Sequence, residues 1–450
     1  MTSDTTHRVL VANRGEIAVR IIRAVHSLGW EAVAVYSDAD ADSLWVSLAD
    51  DAVHLGASPA GKSYLDMDKV LDAARTSKCD LVHPGYGFLS ERGSFARAVV
   101  DAGLTFVGAA ADVIETMGDK AAARKTAAGA GVPVVPGSDV LTDPEATLKY
   151  ADEVGYPVLV KASAGGGGRG IRFVQSADEL ASAVSTAQSE ARSAFGDDAV
   201  YLEKAILDAR HVEVQIIADQ HGTVGHAFER DCSVQRRRQK LLEEAPAPDL
   251  SSSLREAMLE ASVDLAKSVG YVGAGTLEYL VTGEEFYFIE MNTRIQVEHP
   301  ISEQITGLDL VAEQLRVATG EPLSFDPQQV EATGVCFEFR INAEDSTNDF
   351  FPSPGTLERF DVPGGPGVRV ETGYVAGGTV SPYYDSLLMK VVVQGRDRAE
   401  AIARSIQALS ELRIEGVANT RDLHLRLLQD SAVADGPVTT AWLETYLART

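Results

Sequence analysis

Four short β-rich runs alternate with helical patterns over residues 1–115, and this constrains the fold more than any other feature of the 450-residue chain. Val9-Leu10-Val11 reads as a buried strand, and Ile17, Ile21, Ile22 and Val25 follow at helical spacing up to Gly29. The pattern continues through Ala32-Val33-Ala34-Val35, a helix around Val70-Leu71-Ala74, Leu81-Val82, a helix from Phe95 to Ala102, and Thr105-Phe106-Val107. Strands separated by helices build βαβ units, hence a parallel, doubly wound sheet. Ligands bind beyond the carboxyl ends of such strands. The loops there are Asn13-Arg14-Gly15-Glu16 and His83-Pro84-Gly85-Tyr86-Gly87.

The rest of the chain reads as α+β. Residues 110–131 form one Ala- and Lys-rich helical pattern, and Val132-Pro133-Val134-Val135-Pro136-Gly137 reads as a hinge. A compact segment follows: helix 144–154, strand 158–162, a glycine loop, strand 171–174, helix 177–195 and strand 199–204. Residues 210–292 are mostly strands, broken by a helix at 253–269. The C-terminal part opens with the strand Cys336–Arg340 and closes with amphipathic helices near 398–411 and 420–429.

Asp and Glu number 66 against 40 Lys and Arg, a net charge of −26 that repels polyanions and anionic lipid. No nucleic-acid or membrane partner is expected, and no apolar run reaches the ~18 residues of a membrane span. Met1-Thr2-Ser3-Asp4 shows no secretory pattern, and Cys79, Cys232 and Cys336 suit neither a disulfide framework nor a cysteine zinc site. A cytoplasmic enzyme is the expectation. An anionic substrate would bind where basic residues are concentrated.

Three local patterns carry chemistry. In Lys161-Ala162-Ser163-Ala164-Gly165-Gly166-Gly167-Gly168-Arg169-Gly170, consecutive glycines let backbone N–H groups close on phosphate oxygens. The loop lacks Gly-Lys-Ser/Thr and joins two strands, so it is not a Walker loop; a flexible linker is the alternative. Glu278 faces Glu290 and Asn292 across a hairpin turning at Thr282–Glu285, an oxygen set that suits Mg²⁺. A solvated acidic ribbon is the alternative, disfavoured by Phe286, Phe288 and Ile289. Arg294, Gln296 and Glu298 then recur at spacing two, placing an oxyanion fork beside a candidate base. The cluster Arg236-Arg237-Arg238-Gln239-Lys240 reads as anion-binding or as a surface patch.

Together these motifs resemble the ATP-grasp superfamily and, within it, the biotin carboxylase family. The match runs from Val9 to about Leu447 and includes Ala12–Ala18, His83–Glu91, Met117–Lys120, Glu229–Ser233, Glu243–Pro248, Glu290–Pro300 and Arg340–Glu344. It implies an N-terminal doubly wound unit over 1–117, an ATP-grasp unit over 118–330 with a lid at about 135–206, and a C-terminal α+β unit over 331–450. It also implies that bicarbonate attacks the γ-phosphate of MgATP to give carboxyphosphate, from which biotin is carboxylated. By the same resemblance Lys120, Lys161 and Gly165, Gly166, Gly167 and Gly168 hold phosphates. Glu203 and Lys204 border the adenine, and His211 and Gln235 lie near the ribose. Glu278, Glu290 and Asn292 hold Mg²⁺ or Mn²⁺. Lys240, Arg294, Gln296 and the Val297 N–H bind bicarbonate, and Glu298 deprotonates it. Arg340 and Tyr86 serve biotin.

One position departs from the family pattern. Where a bacterial member has His, this chain has Arg238, which cannot titrate near neutral pH but can contact phosphate. Met389-Lys390 is the chain's one Met-Lys pair and lies in a strand pattern, so biotin is expected on a separate carrier protein. A carboxyltransferase partner and a homodimer are expected from the resemblance. Another ATP-grasp carboxylate ligase, or the carboxylase part of a longer polypeptide, are the alternatives. Lys120, Lys161, Arg238, Lys240, Arg294 and Arg340 are expected to form a cationic pocket inside an acidic protein.

Overall fold

The computed structural model describes residues 6–449 apart from 139, 142–143 and 163–170. The predicted glycine loop, with Gly165–Gly168, therefore lies outside the described residues.

The N-terminal alternation folds as expected. Strands Arg8–Val11, Glu31–Ser37, Asp51–Gly56, Leu81–His83 and Thr105–Phe106 form a parallel sheet in the order third, second, first, fourth, fifth. Both faces are buried, as a parallel sheet requires. Val9, Val11, Ala32 and Ala34 pack with helices Gly15–Ser27 and Leu310–Ala318, while Leu10, Val33, Val35 and Val82 pack with Met67–Thr76 and Gly93–Asp101. The edge strand Asp51–Gly56 was not read from the sequence, because Asp51 and His54 leave it half polar.

The loops at the carboxyl ends of the first and fourth strands are pinned together. Asn13 Nδ2 donates to the carbonyls of Pro84 and Tyr86, both at 2.7 Å. Gly85 has φ +63°, and a Cβ there would sit 2.9 Å from Asn13 Nδ2, so glycine is required.

The expected single helix over 110–131 is two, Ala111–Gly118 and Lys120–Gly129. Asp119 breaks it by leaving helical geometry, and its Oδ1 accepts the Ala122 N–H as the cap of the second helix. Beyond it, strands Val158–Ala162, Ile171–Val174 and Val200–Lys204 make a small antiparallel sheet with Val158–Ala162 central. Helices Pro144–Val154 and Ala177–Phe195 flank its own small core, which includes Val158, Val160, Leu180 and Leu202.

One antiparallel sheet of eight strands spans the remainder. Its order is Glu285–Asn292, Gly273–Thr282, Arg210–Ala218, Val224–Arg236, Gln239–Ala245, Val335–Asn342, Leu387–Gly395, Val368–Thr372. The C-terminal strands thus extend the central sheet through the Gln239–Ala245 pairing with Val335–Asn342. Period two divides the Val335–Asn342 strand. Phe337, Phe339 and Ile341 face an apolar core with helices Arg398–Glu411 and Arg421–Gln429, whereas Glu338 and Arg340 face the other way. Among the described residues no helix is long and apolar enough to cross a membrane.

Candidate active site

A cleft of about 650 Å³ opens between the small sheet, the eight-stranded sheet and the N-terminal loops. Lys120, Lys161 and Glu203 line it from the helix Lys120–Gly129 and the small sheet. His211, Gln235, Arg238, Lys240, Glu278, Glu290 and Asn292 line it from the large sheet, Tyr86 from the His83–Gly87 loop, and Arg340 from the C-terminal strands. Arg294, Gln296 and Val297 complete the wall. Glu298 lies behind them, fully buried. Lys204 does not line the cleft: its Nζ donates to the carbonyls of Gly155 and Tyr156, at 2.7 and 3.1 Å. The strand's alternation turns Tyr201 and Glu203 inward, which carries the neighbouring Lys204 side chain away.

Lys240 is the centre of the charge network. Its Nζ lies 2.6 Å from Glu213, 2.9 Å from Glu278 and 2.7 Å from Glu298. Burial acts to lower this ammonium, but the three glutamates outweigh it and hold its pKa well above the ordinary value. Glu298 shares its other oxygen with Arg340 Nη2 at 2.9 Å. Burial acts to raise the Glu298 carboxyl, yet Lys240, Arg340 and Arg230 hold it well below the usual carboxylate range. Arg340 also binds Glu243 at 2.6 Å. Burial pushes Glu243 up to about 7 against the pull of Arg340.

Glu213 was not singled out from the sequence. It is wholly buried and held by Arg230 Nε at 2.6 Å as well as by Lys240. Its signal is legible in retrospect: in Val212-Glu213-Val214-Gln215-Ile216, polar residues recur at period two inside an apolar central strand. Such a strand presents one polar face, and a buried polar face needs partners.

Glu278 and Glu290 are direct cross-strand partners, as the hairpin reading required. Glu278 Oε1 accepts from Lys240, from Asn292 Nδ2 at 2.9 Å and from Gln296 Nε2 at 3.1 Å, while its Oε2 lies 3.0 Å from His211 Nε2. Burial acts to raise Glu278, but Lys240 and His211 keep it well below the ordinary range. Glu290 is raised, by burial and then by Glu278, with Lys120 Nζ 3.9 Å away. Two carboxylates face to face, one charged and one pushed up by its neighbour, form a donor set that a hard divalent cation neutralises. The residues therefore fit Mg²⁺ or Mn²⁺.

Three expectations are corrected here. Residues 293–298 are not a strand, so Arg294, Gln296 and Glu298 do not share a face by period two. Arg294 instead folds back: Nη1 donates to Gln296 Oε1 and Nη2 to Asn292 Oδ1, both at 3.0 Å, while Nε pairs with Glu91 at 3.0 Å. Glu298 is the N-cap residue of the helix His299–Thr306. The basic cluster also divides. Arg236 pairs with Asp349, Arg237 lies 3.3 Å from it, and Arg238 points to the cleft. The division comes from a two-residue hairpin turn in which Arg237 and Arg238 both take positive φ, +49° and +65°, at positions that favour Asn-Gly. The expected cationic pocket is in fact a lattice: Lys120, Lys161, Lys240, Arg294 and Arg340 each face a glutamate.

Tyr86, expected beside biotin, donates its hydroxyl to Glu16 Oε1. Glu16 Oε2 lies 3.0 Å from Lys390, which also donates to the Val297 carbonyl at 2.8 Å. Lys390 is 0% exposed, so it cannot present a covalently attached group to solvent.

Known proteins share this fold. Three family models tile the chain: "Biotin carboxylase, N-terminal domain" over residues 5–114, "Carbamoyl-phosphate synthase L chain, ATP binding domain" over 119–325, and "Biotin carboxylase C-terminal domain" over 338–445. Biotin carboxylase 1 of Bacillus subtilis is 50% identical over 442 residues, 98% of each chain. The biotin carboxylase of Pseudomonas aeruginosa is 48% identical over 442 residues, again 98% of each chain. The biotin carboxylase of Campylobacter jejuni, solved as a beta-gamma-ATP complex, superposes with a TM-score of 0.94 at 43% identity over 99% of both chains. The biotin carboxylase domain dimer of Hydrogenobacter thermophilus 2-oxoglutarate carboxylase, solved with MgADP, ADP and bicarbonate, gives 0.93 at 46% identity over 98% of this chain and 97% of that one. With the buried Glu278–Lys240–Glu298–Arg340 lattice in the same fold, the chain belongs to the biotin carboxylase family, ADP-forming ATP-grasp ligases that make a carbon–nitrogen bond.

Proposed function

We propose that the cleft phosphorylates bicarbonate with ATP and passes the resulting carboxyl group to the ureido nitrogen of biotin. One observation carries this reading: Glu298 is a fully buried carboxylate shared between Lys240 and Arg340, beside the Arg294–Gln296 pair. A small planar oxyanion bound there meets cationic donors on several sides and a carboxylate able to take its proton.

Lys120, Lys161 and Arg238 bind the nucleotide phosphates, with His211 and Gln235 near the ribose and the Glu203 and Lys204 backbone beside the adenine. The unit 118–330 then serves as the ATP-grasp, with 135–206 as its lid. Glu278 and Glu290, with Asn292 alongside, hold Mg²⁺ or Mn²⁺, which supplies neutralising charge to the phosphates when bound. Bicarbonate oxygen forms a bond to the γ-phosphorus as the bond to the β-phosphate oxygen breaks, giving ADP. Glu298 takes the bicarbonate proton. Its low basicity follows from its partners, so a bicarbonate in place, sharing the Lys240 and Arg340 N–H groups, raises its proton affinity. Carboxyphosphate then splits into CO₂ and phosphate, the released phosphate takes the N1 proton of biotin, and the enolate so formed, held by Arg340 with the ring at Tyr86, adds CO₂ at N1.

Biotin comes on a separate carrier protein, in line with the burial of Lys390. The product would pass to a carboxyltransferase subunit. A homodimer is supported by the dimeric Hydrogenobacter thermophilus domain. Cytoplasmic work, such as fatty acid synthesis, agrees with three free, buried cysteines. The test is ADP release from MgATP measured with and without bicarbonate and biotin. Release that needs bicarbonate and rises with biotin is expected; release indifferent to both overturns the proposal.

A further inference from the structure

Arg124 belongs to none of the motifs above, yet its side chain lines the cleft beside Lys161 and Glu203. It follows Lys120 by four residues on the helix Lys120–Gly129, so both project from one face. From that helix Arg124 Nη1 reaches the small sheet, 3.1 Å from Glu203 Oε1. Glu203 Oε2 accepts from Lys161. Glu203 is 7% exposed and thus has two cationic partners, one within its own sheet and one from outside it. Gly137, which bridges to Glu203, leaves room for the crossing. A Cβ there would lie 2.8 Å from Arg124 Nη2 and 2.8 Å from the Leu202 carbonyl oxygen.

A conflict follows if Lys161 is to hold phosphate, because its ammonium is already engaged by Glu203. A lysine that turned away from a sole carboxylate partner would leave that carboxylate buried and unpaired, a costly state. We infer that Arg124 is the positioning residue that relieves this conflict: it keeps Glu203 neutralised while Lys161 is handed to the nucleotide phosphates. Arginine suits the task, because its fork stays charged at any working pH and holds a carboxylate without leaving its helix. The inference rests on the nucleotide reading of the cleft and adds to it a residue and a partner exchange.

The test is a double-mutant cycle in the full chain with Arg124→Met, Glu203→Gln and the pair, plus Arg124→Lys. MgADP affinity is read by calorimetry, and ADP formation is followed at saturating bicarbonate and biotin. Arg124→Met should weaken MgADP binding and raise KM for ATP by about tenfold or more, leaving KM for bicarbonate and kcat within about threefold. Arg124→Lys should recover most of the loss. With Glu203→Gln already present, Arg124→Met should add less than about a twofold effect, since a neutral amide needs no cation. An unchanged nucleotide affinity, or the same penalty in both backgrounds, overturns the assignment. A general structural defect would lower kcat and the melting temperature together and would not depend on the charge of Glu203. Should Arg124→Met fail to fold, Arg124→Gln runs the same cycle. Calorimetry reads the exchange without turnover, so bicarbonate-independent ADP release by the unmodified protein would count against the functional reading alone.

Discussion

At one end of the cleft Lys240 stands within 2.9 Å of three glutamates, two of them with side chains wholly out of solvent. At the other, Lys161 shares Glu203 with Arg124 and keeps 20% of its side chain exposed. The first is a closed lattice in which moving any member strands several charges. The second is a short chain with one spare cation, where partners can be exchanged. A preorganised field belongs where charge develops in the reaction. A yielding pair belongs where a large ligand must enter and leave. The molecule thus divides rigidity and adaptability along the cleft's length.

The harshest way to break the comparison is Lys240→Met. It leaves Glu213, Glu278 and Glu298 facing one another in a buried space, so a loss of about 3–5 kcal/mol is expected by chemical denaturation, with activity abolished. A stability within error of the unmodified protein would show that the lattice relaxes, and that the two ends are alike. Glu298→Gln keeps the shape but removes the proposed base, and bicarbonate-dependent ADP formation should fall by about 10²–10⁴-fold. A rise in KM for bicarbonate with kcat unchanged would assign Glu298 to binding.

A subtler prediction concerns the support behind Arg340. Thr420 Oγ1 and His424 Nε2 both hydrogen-bond its carbonyl, at 3.0 and 2.9 Å, and a carbonyl only accepts, so His424 is the Nε2–H tautomer. Burial pushes His424 down to about 4. A histidine depressed on folding contributes stability that is present above its ordinary pKa of about 6.5 and lost as pH falls toward 4. Between pH 7 and pH 5 the loss is about 2 kcal/mol. His424→Gln should lack this component, so its stability should approach or exceed that of the unmodified protein at pH 5. Parallel pH dependences would remove His424 from the account. Least of all, Arg359→Ala removes exposed pairs with Asp361 and Glu415, and its melting temperature should be unchanged within error.

Much of this was legible beforehand. The hairpin of Glu278 and Glu290 came from alternation plus a glycine turn, and the small sheet's strands fall within a residue of their expected bounds, because both are local patterns. What escaped was of two kinds. Locally, Gly118 and the Asp119 cap divide a helix that the surrounding alanines favour, and the polar side of the edge strand Asp51–Gly56 hides it from an apolar search. Arg236 and Arg237 looked equivalent to Arg238 until Asp349, more than a hundred residues away, claimed them. Arg124, Glu213 and Lys390 carry no motif, and their roles arise only from what faces them.

The sequence alone set the local elements: a parallel unit to start, Glu278, Glu290 and Asn292 on one hairpin, and Glu298 shortly after it. It settled these because backbone periodicity and turn residues act over a few positions. The tertiary structure decided which charges meet. A net charge of −26 says nothing about a cleft in which Lys120, Arg124, Lys161, Lys240, Arg294 and Arg340 each face a glutamate. Coulomb interactions at 3 Å in a buried site outweigh the average field of the whole chain, and packing alone brings distant residues to that distance.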